Sequence, residues 1–578
     1  MSSLAVVLAQ APQTTVINLA PGAGTPAADP NAPIPTPPVL WAALLPILVL
    51  GIGGLVLLTI SSLLKKGAPR GFYTLYTVMV AGLSMAAAVP LWAKVNGWTK
   101  IAWWDFRDLW WQSLPTEAGP FSTLGQAIGV DGLSVFLILL ICIAVILGSL
   151  LSDDFLLREG LEGPETYALL LFSACGGVIM AMADDLIVLF LGLETLSIAV
   201  YVLAASHLKR AQSQEAGLKY FVLGGFSSAF FLYGIAMLYG ATGTTNLVAM
   251  KDFLSRSIPA NNALLLIGFA LLLVGFAFKV AAVPFHAWSP DVYDGAPTPS
   301  VAFMASGVKA AGFAGLVRVF VVAFGQYAAD WQPIVYALAV LSLVVGSVLA
   351  IVQNNVKRTL AYSSVSHVGF ILIAVEAATP AGIQAVLFYL ASYTFMVVGS
   401  FGVVTLVGRV GDGRHSLDDY KGLGRTNPLL AAIFTVFLLA QAGVPFTAGF
   451  VAKFYAVIAA VDAGSTVLAV IAMISATIAA FLYLRIIVAM YMTDSDGRSA
   501  SPVSRAERIR IPFATGLSLL LCVLTTVGVG LLPGPLTELS AKGTPSLVRE
   551  PARTATDGGL TVGTTGTEAA PGQSQQQG

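Results

Sequence analysis

Charge is what this chain has least of. Its 578 residues hold 30 Lys and Arg against 30 Asp and Glu, 10% charged in all, where a soluble chain carries about 25%. The signs cancel at pH 7, so no basic surface points to nucleic acid and each charge has to be read by its position. Cysteine is as scarce. Cys142, Cys175 and Cys522 lie far apart on apolar stretches with no CxxC spacing, which argues against an iron–sulfur, zinc or haem site and leaves them as packing residues. No glycine-rich phosphate loop opens a strand–helix unit either, so no nucleotide or flavin site is expected. We expect this chain to bind no metal and no cofactor.

What fills the sequence is apolar residues, 57% of it, and this defines an all-α polytopic membrane protein embedded in the lipid bilayer. At roughly 20 apolar residues per span, fourteen helices are predicted, near 39–63, 72–92, 129–151, 165–183, 185–206, 217–240, 263–284, 299–324, 333–352, 358–376, 381–407, 427–460, 465–492 and 511–532. Residues 1–38 hold eight prolines from Pro12 to Pro38 and read as a disordered leader. A signal peptide is poorly supported, because the basic n-region is missing and the apolar run Leu4–Leu8 is short. The polar 540–578 stretch reads as a disordered tail. Between the second and third helices, Trp98, Trp103, Trp104, Trp110 and Trp111 suit an anchoring loop at a membrane interface.

Basic residues near the helix ends set the orientation. Alternate loops starting with the first carry sixteen of them, among them Lys65, Lys66, Arg70, Lys209, Arg210, Arg409 and Arg510, and the opposite set carries five. Both termini are therefore expected on the non-cytoplasmic side.

The stretch Gly275–Pro299, GFAFKVAAVPFHAWSPDVYDGAPTP, places Lys279 in an apolar run and then breaks that run at Pro284. A charge in hydrocarbon is expensive and a proline frees backbone groups that lipid cannot satisfy, so an ordinary span has no use for either. The pattern recurs: Val283-Pro284-Phe285-His286-Ala287-Trp288 is echoed by Val444-Pro445-Phe446-Thr447-Ala448-Gly449-Phe450, with Lys453 beside the second break. The breaks fall in the seventh and twelfth predicted helices, an odd number of crossings apart, so the two discontinuous helices run in opposite directions. Paired interrupted helices predict two inverted five-helix repeats, over 165–324 and 333–493, with a site near the midplane. Residues 39–164 hold the first three helices and 494–535 a loop and the last.

Rise along a helix turns spacing into depth. Glu194 is nine residues beyond Asp185, Lys309 ten beyond Pro299 and Lys453 nine before Asp462, each about 14–15 Å inside a core about 30 Å thick. Lys219, four residues after Glu215, lies nearer the cytoplasmic end, where its stem could simply snorkel. A static Glu–Lys pair would account for any one of the others, but several intramembrane charges, each costing at least about 2.5–3.5 kcal/mol, fit an ion path better. His286 and His367 can change charge near neutral pH, although each alone reads equally well as a packing residue. Ser363, Ser364 and Ser366 around His367 could hold a water chain. Arg318 and Arg485 stay charged and read as salt-bridge or packing residues. Burial disfavours an ammonium and a nearby carboxylate favours it. Motion of Glu194 relative to Lys279, with Lys219 as an alternative partner, would load or discharge a proton on Lys279. Lys309 and His367 would pass it to Lys453.

The segments LFLGLETLSIAVYVL, EAGLKYFVLG, Gly275–Pro299, NNVKRTLAYSSVSHVGF and GVPFTAGFVAKFYAV resemble the antiporter-like subunits of respiratory complex I, over about residues 40–535. The resemblance implies fourteen helices, inverted repeats, and two proton half-channels joined by a hydrated axis. By motif, Glu194 and Lys279 match the family's Glu/Lys pair, Lys219 its neighbouring lysine, Lys309 the connecting residue and Lys453 the terminal one. Lys453 separates the chain from members with glutamate there, and Lys309 from those with histidine at the connecting position. The resemblance also implies NADH, FMN, iron–sulfur clusters and quinone on other chains. It implies partners in the membrane arm, among them the neighbouring antiporter-like subunit M and the small subunits K, J and A. Three functions remain open: a proton-translocating subunit of NADH–quinone oxidoreductase, a cation/proton antiporter (free-standing or in a complex), and a structural scaffold. A sodium site would need several converging oxygen ligands, and Asp291 and Asp294 lie beyond the first break, toward the loop.

Overall fold

The computed structural model describes residues 37, 39–64, 68–98, 100–101, 104–105, 114–115, 117–257, 262–492, 509–543 and 545–547. Most of the proline-rich leader, residues 548–578 and four of the five clustered tryptophan side chains lie outside the described residues. Trp98, the fifth, is exposed.

Thirteen described helices are long and apolar enough to cross a membrane. In order they are α1 (Trp41–Leu63), α2 (Phe72–Val95), α3 (Gly132–Glu159), α4 (Glu165–Met182), α5 (Leu186–Ala205) and α6 (Ala211–Thr242). The short amphipathic α7 (Leu247–Arg256) precedes α8 (Asn262–Val280) and the short α9 (Trp288–Gly295). Then come α10 (Thr298–Ala323), α11 (Ala328–Ile351), α12 (Val356–Glu376) and α13 (Pro380–Gly408). The predicted span 427–460 is two helices, α14 (Pro428–Ala442) and α15 (Ala448–Asp462), each of 15 residues. At 1.5 Å per residue neither crosses about 30 Å alone. The two are joined end to end through residues 443–447. After α16 (Thr466–Met492) and α17 (Phe513–Leu531) comes α18 (Gly534–Lys542), so the expected disordered tail starts as a helix. Just past it, the Ser546 amide donates to Asp131 at 2.8 Å.

Helix starts follow the capping chemistry of the sequence. Asp131 and Ser134 form a reciprocal capping box on α3, Asp185 caps α5, Asn355 caps α12, and Thr379 caps α13 ahead of Pro380. A three-residue hairpin, Phe121–Thr123 with Ile128–Val130, buries its strands just before α3.

Burial sorts the helices into a centre and a rim. Most residues of α10, α12 and α13 are buried, whereas most of those of α1 and α17 are not. Around α13 pack α12, α14, α15 and α17. On the rim, α6 turns Leu218, Phe221, Phe226 and Tyr233 outward, as a hydrocarbon solvent allows.

Both predicted breaks are present. α8 stops at Val280; Ala281 has a φ of 63°, the Val283–Pro284 peptide is cis, and helix resumes at Trp288. α14 stops at Gly443, whose φ of 91° supplies the left-handed cap that glycine adopts without strain.

A candidate ion path through the centre

Lys279 is in the last turn of α8 and buried. Its ammonium donates to Ser197 Oγ on α5 at 2.7 Å. Glu194 is three residues before Ser197, on the same face of α5, and its carboxylate accepts from Ser228 on α6. Among the described residues no ion pair joins Glu194 to Lys279. Ser197, Ser227, Ser228 and Lys279 line a small cavity there, with ≈ 10 Å³ open to water-sized centres, on the order of what a single water needs.

Lys219 is paired away from Glu194. Its ammonium pairs with Glu215 at 2.8 Å and Asp291 at 2.9 Å, and Asp291 also takes Arg358 at 2.9 Å. The residue of α6 that meets Glu194 is Ser228, nine positions further on and about 14 Å along the axis. Lys219 is thus a tie between α6 and α9 and is not in contact with Glu194. His286, in the first break, is not joined to the other candidates. Its Nδ1 is buried without a hydrogen-bond partner and its ring stands 6.3 Å from that of Tyr362.

Lys309 lies at the middle of α10, immediately after the π-helical turn Met304–Val308, a distortion that recurs at functional sites. Gly312, one turn on, lets α10 close on α8. A Cβ there would stand 2.9 Å from Val280 Cγ1 and 3.5 Å from Lys279 Cγ. Lys309 donates to Ser364 Oγ at 2.5 Å and to the Ser364 carbonyl at 3.2 Å, and Tyr393 donates to the same hydroxyl at 2.7 Å.

From there polar groups continue through the core. The His367 ring packs on that of Tyr393 with centroids 4.8 Å apart, and its nitrogens meet the hydroxyls of Tyr389 (2.8 Å) and Tyr483 (3.2 Å). Tyr483 meets Ser363 Oγ at 2.5 Å, Ser363 donates to Gln441 Oε1 at 3.4 Å, and Gln441 donates to Ser400 at 2.6 Å. Lys453 closes the line. It donates to the carbonyls of Gln441 (2.8 Å) and Ala442 (2.9 Å), the open C-terminal end of α14, where a cation is favoured. Its ammonium also lies 5.0 Å from the centroid of the Phe370 ring.

The sequence reading did not single out Ser197, Ser228, Tyr389, Tyr393, Tyr483 or Gln441. A signal was present: Tyr389 and Tyr393 share a face at i, i+4, as do Ser363 and His367, inside otherwise apolar spans. Arg318 and Arg485 are structural. Arg318 is fully buried between Asp131 (2.9 Å) and Asp184 (2.7 Å), and Arg485 donates to the Ile351 and Gln353 carbonyls at the end of α11. The three cysteines are buried and free. Among the described residues no group of three or more His, Cys, Asp or Glu is placed to hold a metal ion.

Broken helices around buried lysines define an antiporter-type membrane subunit. Residues 183–479 match the family described as NADH:quinone oxidoreductase/Mrp antiporter, TM. NADH-quinone oxidoreductase subunit N of Trichlorobacter lovleyi is 45% identical over 370 residues, 64% of this chain and 76% of its own. NADH-quinone oxidoreductase subunit N 3 of Streptomyces griseus is 37% identical over 560 residues, covering 90% and 96%. A chain of respiratory complex I from Thermus thermophilus superposes with a TM-score of 0.67 at 31% identity, covering 86% of this chain and 99% of that one. The chain belongs to the subunit N family of NADH-quinone oxidoreductase.

Proposed function

We propose that this chain moves protons across the membrane as a non-redox, antiporter-like subunit of NADH–quinone oxidoreductase. The observation that carries the reading is the run of buried polar groups linking Lys309, Ser364, Tyr393, His367, Tyr483, Ser363 and Gln441 to Lys453. Glu194 and Lys279 stand at one end and Lys453 at the other. A proton on Lys279 is held by the Glu194 charge and by Ser197. Moving the carboxylate away from the ammonium, or releasing it from Ser228 and drawing it closer, changes how strongly the ammonium is favoured. The proton then passes to Lys309, along the hydroxyl and imidazole groups, and leaves from Lys453. Lys219 and Asp291 act outside this line, by holding α9 against α6 and α12. His286 lies beside it, at the turn.

In this reading α4–α10 and α11–α16 are inverted repeats, and both termini lie outside the cytoplasm. NADH, FMN, iron–sulfur clusters and quinone are bound on other subunits. Partners are the neighbouring antiporter-like subunit M and the small membrane subunits K, J and A.

The test uses the assembled complex in sealed vesicles. Glu194→Ala, Lys279→Ala and Lys453→Ala each lower proton pumping strongly while the complex still assembles. Wild-type pumping in all three variants would overturn the relay. Copurification without redox subunits, with sodium-dependent transport, would assign the chain to a cation/proton antiporter instead.

A further inference from the structure

We infer that Tyr201 and Tyr220 form the inlet through which Lys279 is reloaded with protons, an inference that rests on the relay proposed above. Each transfer away from Lys279 leaves an amine that must regain a proton. The two tyrosines stand between that amine and the polar groups at the start of α6. Tyr201 is four residues past Ser197 on the same face of α5. It lines the small cavity that Lys279 and Ser197 share, which has room for about one water. Gly224 on α6 admits its hydroxyl, because a Cβ there would stand 2.0 Å from Tyr201 Oη.

Tyr220 continues the line toward the start of α6. Its ring meets that of Tyr201 edge-on, with centroids 4.7 Å apart. It follows Lys219, whose ion pairs with Glu215 and Asp291 are accessible to solvent. The first helix break holds Tyr220 in place. Trp288, where helix resumes, stacks on its ring at 4.2 Å, and the indole N–H donates to the Phe278 carbonyl in the last turn of α8 at 3.0 Å. Packing fixes the ring, yet the Tyr220 hydroxyl is fully buried and meets no hydrogen-bond partner among the described residues. An unpaired buried hydroxyl costs free energy, and phenylalanine would pack the same ring without that cost. The hydroxyl fits a group that carries protons. A phenol oxygen accepts a proton on one side and releases its own on the other, so it is unchanged after each transfer while the Lys279 amine becomes an ammonium.

The experiment uses the assembled complex in sealed vesicles and reads protons pumped per electron transferred, with native gels and thermal melts on the same preparations. Tyr201→Phe and Tyr220→Phe each lower that ratio to the level of Lys279→Ala, with the complex assembled. Tyr220→Phe melts no lower than the wild type, because it removes a hydroxyl that has no partner. Tyr233→Phe, exposed on the outward face of α6, changes nothing. Wild-type pumping in Tyr201→Phe or Tyr220→Phe beside a defective Lys279→Ala would overturn the inlet and leave the relay standing. Pumping lost together with assembly or melting temperature in Tyr220→Phe would make its hydroxyl structural and overturn the inlet as well. Wild-type pumping in Lys279→Ala would overturn the relay and the inlet together.

Discussion

Lys279 donates to Ser197 Oγ at 2.7 Å, and Ser197 lies one helical turn from Glu194 on the same face of α5. The serine thus stands between an ammonium and the carboxylate that attracts it. A hydrogen bond to a charged group contributes about 1.5–3 kcal/mol. Ser197→Ala is expected to lower proton pumping about tenfold relative to electron transfer, and Ser197→Thr, which keeps the hydroxyl, to restore most of it. Dye-quenching assays on energised vesicles measure both.

The line toward Lys453 leaves His367 through one hydroxyl, that of Tyr483. Tyr483 contacts His367 on one side and Ser363 on the other, whereas Tyr389 contacts His367 alone among these groups. Tyr483→Phe is therefore expected to reduce pumping more than Tyr389→Phe, with assembly intact in both. Equal effects would place the path elsewhere.

Arg318 answers to stability. Removing one member of a buried ion group strands the others, at a cost of about 3–5 kcal/mol. Arg318→Leu leaves Asp131 and Asp184 buried and unpaired. Loss of the assembled subunit on native gels is expected, with Arg318→Lys failing to rescue because one ammonium cannot reproduce the fork.

Asp412 ties the loop after α13 to the rest of the protein. Its buried carboxylate accepts from Arg210 (3.1 Å), Thr298 (2.7 Å), Lys357 (3.4 Å) and His415 (3.0 Å). Burial by itself would raise the carboxyl, but Lys357, His415 and Thr298 outweigh it and hold Asp412 well below the usual carboxylate range. A group depressed on folding stabilises above its unfolded pKa, about 3.9 for Asp, and loses that contribution as pH falls further. Asp412→Asn is expected to lower the melting temperature at pH 7. The gap to wild type should narrow as the pH falls below about 4.

Much of this was legible in the sequence. The thirteen membrane-length helices, both helix breaks and the buried lysines follow from local composition, because lipid forces every apolar run of about 20 residues into helix and makes each charge or proline within it conspicuous. The extent of the second break was less so: Pro445 marks the discontinuity within 427–460, but residues 443–447 interrupt the apolar stretch for only five positions, too few to set the two helix ends.

What only the tertiary structure decided is who touches whom. Lys219, Lys279 and Lys309 are alike as lysines in apolar sequence. Packing gives the first to Asp291, the second to Ser197 and the third to Ser364. Serine, tyrosine and glutamine carry no charge and leave little trace on an apolar pattern, so the groups that join the lysines emerge only when α5, α12, α13, α14 and α16 are brought side by side. Sequence fixes the depth of a residue along its own helix. The rotation of that helix against its neighbours, set by side-chain packing over the whole bundle, fixes its partner.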